Sequence, residues 1–173
     1  DLPEVLEAAL AGVLDVLDTM PTEGDWPEGP AYHLVSLASG LRFGLALKNA
    51  TGGAVNLLTH PVLKRAGDFL MHITEPDGEY YNFSDDPGLW PRGPSHDPWN
   101  FLLLLAKIAR RGEWTRTARM HYKVTLERLL WDDPSLESVS PSDTDTARQF
   151  PSTGMTTMRS GWDGQATYVG FRS

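Results

Sequence analysis

The stretch from Pro30 to Lys48 constrains the fold more than any other part of the chain. It is apolar or small on nearly every side, with Leu34, Val35, Leu37, Ala38, Leu41, Phe43 and Leu45 spread around the helical circumference. A helix of that kind is expected to be an inner one, covered by others. Pro30 suits a first helical turn, and the run "NATGGAVN" ends the helix with glycines. Candidate covering helices lie on both sides. Residues 3–19 put Val5, Leu6, Ala9, Leu10, Val13, Leu14 and Leu17 on a 3.6-residue stripe, with Glu4, Glu7, Asp15 and Asp18 on other faces. A third helix is predicted from about Pro61, capped by Asn56 or Thr59, with Val62, Leu63, Ala66, Phe69, Leu70 and Ile73 inward. Asp97-Pro98 reads as the start of a fourth, running through Phe101–Leu105 to Arg110. A fifth is predicted from Thr115 to Trp131, with Ala118, Tyr122, Leu126, Leu129 and Leu130 inward.

After residue 131 the pattern changes. An Asp/Ser/Pro/Thr-rich linker covers 132–149, and "GMTTMRSGWDGQATYVGF" then holds two short β-prone runs around a Gly-Trp-Asp-Gly turn. The expected fold is mainly α: antiparallel helical hairpins over 1–131, followed by a β-hairpin opening a β domain over 150–173. The 173 residues are enough for a real core. A net charge of −8 argues against nucleic acid or an anionic membrane surface as partner. With no cysteine, disulfides and thiolate metal sites are excluded. No apolar run approaches the roughly 18 residues of a spanning helix. The sequence opens at Asp1 and closes just after a strand-like run, so a piece of a longer protein is expected.

Three segments, in order, carry a resemblance. "WPEGPAY" leads into an apolar helix; "GDFLMHITEPDGEYYNFSDD" runs from a helix end through a Pro-Asp-Gly turn; "FPSTGMTTMRSGWDGQATYVGF" leads from helices into strands. Together they resemble the heparinase II/III-like polysaccharide lyases, spanning residues 24–172. The resemblance implies an incomplete α/α toroid followed by the first strands of a β-sandwich. It also implies a secreted or periplasmic enzyme that cleaves an anionic, uronate-containing polysaccharide by β-elimination. Tyr32 corresponds to that family's catalytic tyrosine. His33 departs from the pattern, where an aromatic residue or asparagine is more usual. In that family an Asn-His pair precedes this region, and a histidine with a zinc-binding cluster lies in the sandwich beyond it. Neither is in these residues, so the chain alone is expected to be inactive, with no cofactor or metal of its own.

The chemistry fits those residue types. Elimination removes the C5 proton of a uronate, which is feasible only if the adjacent carboxylate is neutralised by donors or cations. A tyrosine can serve as base and acid in turn, its phenolate taking the proton and its phenol returning one to the leaving oxygen. The ordinary phenol pKa of about 10 must be lowered for this, and a helix N-terminus favours an anion. Glu28 is either a first-turn acid or a group orienting the loop or a sugar hydroxyl. His33 is either a substrate contact or a polar flank. Trp26, Trp90 and Trp99 either stack on sugar rings or plug the core. Arg92, between Pro91 and Gly93, is the local candidate for a substrate carboxylate. Asn82, Asp85 and Asp86 are expected to organise their loop, and His96 beside Asp97 makes a poor metal site.

Two other readings stand beside the lyase. An α/α-barrel glycoside hydrolase would use Asp25 and Glu28, although hydrolysis asks for carboxylates about 5 to 10 Å apart across the substrate. A non-catalytic helical module, serving as scaffold or binding surface, would need none of this spacing.

Overall fold

The computed structural model describes residues 2–84, 98–121 and 124–173. Six α-helices are described: α1 (Leu2–Thr19), α2 (Pro30–Ala50), α3 (Leu63–Ile73), α4 (Pro98–Ala109), α5 (Gly112–His121) and α6 (Leu126–Trp131). A three-stranded antiparallel sheet follows, in the order β1 (Ala147–Phe150), β2 (Met155–Arg159), β3 (Tyr168–Arg172). The chain is therefore mainly α with a small sheet at its end.

The helices start and stop as the local chemistry dictates. α2 begins on Pro30, whose missing N–H would have had no helical partner anyway. It ends where Gly52 and Gly53 take positive φ, which lets the Gly53 N–H donate back to the Lys48 carbonyl at 2.7 Å. Asn56 caps a single 3-10 turn, Leu57–Thr59, rather than α3, its side chain accepting from the Leu58 N–H. After α3, Glu75–Glu79 closes a tight turn on Pro76-Asp77-Gly78, and Thr74 bridges Tyr80.

The burial order differs from the expectation. The innermost helices are α3 and α4: Phe69, Leu70, Met71 and Ile73, then Phe101 through Ala106, are sealed from water. α2 buries one side only (Leu37, Ala38, Leu41, Leu47), and Val35 stays exposed. α1 packs by its C-terminal half, through Leu17, with Met20 buried just beyond it, while Val5 and Leu6 stay exposed. The predicted fifth helix is two. Thr125 adopts an extended backbone and its hydroxyl accepts from the Arg128 N–H, which makes it the N-cap of a separate helix, α6. Asn100 on α4 donates to that same hydroxyl at 2.9 Å. The new helix turns Leu126, Leu129 and Leu130 outward, 61–79 % exposed, where the sequence pattern had them inward. Only Trp131 returns to the core, against Phe101.

The first strand begins inside the segment read as linker, at Ala147. Its only sealed side chain is Phe150, and the register pairs Phe150 with Met155 and Met155 with Arg172. Phe150 meets the Phe69 ring edge-on at 5.1 Å and the His72 ring at 6.2 Å, so one face of the sheet rests on α3. Helices and sheet share a single core that includes Phe150 and Met155.

Candidate functional site

The segment 21–33 is built to be held still. Gly24 has φ +76°, and a Cβ there would stand 2.5–2.7 Å from the backbone of Arg65 and Ala66, so this loop lies directly on α3. His33, in the first turn of α2, reaches back to the Gly24 carbonyl at 2.9 Å. A carbonyl can only accept, so Nε2 carries the hydrogen and Nδ1 is left as a buried acceptor without a partner. Glu23 ties the loop on two sides, to Arg65 of α3 at 3.1 Å and to Arg148 of β1.

Asp25 is fully buried and neither carboxylate oxygen has a hydrogen-bond partner. Burial pushes its pKa up, opposed in part by the Thr153 side chain at the β1–β2 turn. Burial likewise drives the His33 pKa down to about 3, against the pull of the Gly24 carbonyl.

From this base the chain presents Trp26, Glu28 and Tyr32. The Trp26 ring packs against the core while its Nε1–H donates to Glu28 Oε2 at 3.0 Å. Glu28 itself is exposed. Tyr32 is 41 % exposed, in the first turn of a helix whose N-terminus has no side-chain cap. The N-terminal end of a helix favours negative charge nearby. A phenol so placed can meet a bound molecule from solvent and can give or take a proton there.

Several expectations fare differently. His33 sits wholly inside and cannot touch a substrate from this position; its ring is an internal brace, edge-on to Phe69 at 5.0 Å. Trp99 plugs the core, stacked on Tyr80 at 5.2 Å. Asp25, half of the hydrolase pair, is sealed away from any sugar. Asn82 is exposed beside buried Phe83. Trp90, Arg92, His96, Asp97, Asp85 and Asp86 lie outside the described residues. Among the described residues no three of His, Asp or Glu converge as a metal site.

A second polar cluster went unread in the sequence. The Arg159 guanidinium donates to the carbonyls of His72 at 2.9 Å and Thr74 at 2.8 Å, at the C-terminus of α3. Its charge lies 3.9 Å from the Trp162 ring centroid and 5.1 Å from that of Tyr168. The Tyr168 hydroxyl also donates to the His72 carbonyl, and burial raises the pKa of that phenol. His72 is pushed down to about 3 by burial first, then by Arg159 and Arg148. The only local signal was "RSGWDG" itself, a cation next to a tryptophan in a tight turn.

No protein-family model matches the chain, and no curated protein is significantly similar to it.

Proposed function

We propose that this chain is the tyrosine-bearing part of a polysaccharide lyase that cleaves uronate-containing polysaccharide by β-elimination. The helical hairpins would form an arc of an α/α toroid and the three strands the start of a β-sandwich, in a secreted or periplasmic protein. One observation carries the reading: Tyr32 offers its phenol to solvent at the uncapped start of α2, directly after Trp26-Pro27-Glu28-Gly29. In the proposed reaction the Tyr32 phenolate takes the C5 proton. The electron pair of that bond forms the C4–C5 double bond, the C4–oxygen bond breaks, and the phenol returns a proton to the departing oxygen. Glu28, fixed by the Trp26 indole, would orient a sugar hydroxyl.

The test is ultraviolet absorbance of unsaturated uronate product from alginate and heparan sulfate. The complete protein should generate it, this chain alone should not, and Tyr32→Phe in the complete protein should lower turnover about 100-fold or more. Wild-type turnover by Tyr32→Phe removes the tyrosine from its role. New reducing ends without a double bond would mean hydrolysis. Absence of oligo-uronate binding would leave the non-catalytic helical module.

A further inference from the structure

We infer that Glu23 is a positioning residue for Tyr32, a carboxylate through which the sheet and α3 jointly fix where the phenol stands. The inference rests on the lyase reading and deepens it.

No side-chain cap fixes that ring. Tyr32 belongs to the first turn of α2, and the N-cap of this helix, Gly29, has no side chain to anchor it. The turn is held by its own buried residues, Pro30, Ala31 and His33, and by the loop before it. That loop is held by backbone apposition at Gly24, by the His33 ring reaching back to the Gly24 carbonyl, and by Glu23. The first two tie it to α3 and to α2 itself. Glu23 alone also links it by charge to the sheet, because one carboxylate accepts from Arg65 on α3 and from Arg148 on β1. The Arg148 charge also lies 6.0 Å from the Phe150 ring centroid, the strand residue wedged against α3. Glu23 is thus the joint where helix, strand and loop meet. With Arg65 exposed and Glu23 and Arg148 partly buried, this three-way ionic joint fixes geometry more than it adds stability, since exposed pairs contribute little. A shift of about 1 Å in a reacting group is enough to cost on the order of 100-fold in rate.

The test uses two readouts. In this chain, fluorotyrosine incorporation gives a fluorine resonance for Tyr32, assigned by its loss in Tyr32→Phe. Glu23→Gln and Arg148→Ala should each move or split that resonance and quicken amide exchange over residues 24–33, leaving α4 protected. In the complete protein, Glu23→Gln should lower kcat about tenfold with KM within about twofold. Glu23→Asp should recover part of the loss, and in a Tyr32→Phe background Glu23→Gln should have no further effect.

An unmoved Tyr32 resonance with unchanged exchange overturns the inference. So does wild-type turnover by Glu23→Gln, or a loss that persists in full when Tyr32 is already gone. Failure of the lyase reading looks different: the complete protein makes no unsaturated product, or makes it without Tyr32, while the resonance and exchange results still decide whether Glu23 places the ring.

Discussion

His33 and His72 are the residues most exposed to a change of pH, although neither touches water. Both are held neutral, with pKa values near 3 where an unfolded histidine titrates near 6.5. As pH falls below 6.5 the unfolded chain gains protons that the folded one refuses, so stability falls from there down to about pH 3. At pH 5 the loss is about 2 kcal/mol for each histidine. Asp25 works the other way: its raised pKa gives stability that is full below the unfolded carboxyl pKa and is lost as pH rises through the folded value. Two strongly shifted histidines outweigh it. Urea midpoints should therefore drop between pH 7 and pH 5, and His72→Gln should flatten the dependence. Midpoints that rise on acidification would contradict the buried, neutral state of these rings. The sequence placed His33 in the right turn but on the wrong side of it. Its neighbours in space, Phe69 and Gly24, come from an unrelated helix and from a backbone carbonyl, neither of which any local pattern announces.

At the scale of single elements, periodicity was a good guide wherever packing agreed with it. α3 buries the residues its stripe predicts because Gly67 lets the Trp114 ring of α5 lie flat on its backbone; a Cβ there would meet that ring at 2.5 Å. Asp68 holds the indole by accepting its N–H at 2.9 Å, and Arg111 adds a second donor at 3.2 Å. The guide failed after α5. Leu126, Leu129 and Leu130 continue a helical spacing, so the capping threonine at 125 was invisible among them, and the restart rotates all three outward. Leu129→Lys should accordingly change stability by no more than about 0.5 kcal/mol, whereas Trp131→Ala should cost about 3–5 kcal/mol. Chemical denaturation of the two variants checks this; a large loss for the leucine would restore the inward reading. Strand β1 escaped for the converse reason. Of its four residues only Phe150 is sealed, so no alternation marks it out from the polar run before it.

For the molecule as a whole, the decisive contacts join residues far apart in sequence. Arg159 donates to two terminal carbonyls of α3 while its charge rests against Trp162 and Tyr168, so this guanidinium is one of the fastenings between sheet and helices. Arg159→Ala would take the donor from the Thr74 carbonyl, leave the His72 carbonyl only the Tyr168 hydroxyl, and remove the cation, at about 3 kcal/mol. Hydrogen exchange should then show β2 and β3 opening before α4; simultaneous opening would mean the sheet is held chiefly by Phe150 and Met155. The division into a helical part and a terminal sheet was legible in composition, but this seam was not, because neither side of it is unusual by itself. Gly24 has the quietest part in the assembly. It has no side chain to offer, yet its carbonyl takes the His33 hydrogen and only a hydrogen atom fits between its backbone and that of α3. Any heavier substituent would pry the loop away and carry Tyr32 with it, so what this position can hold is set by spacing and by its positive φ.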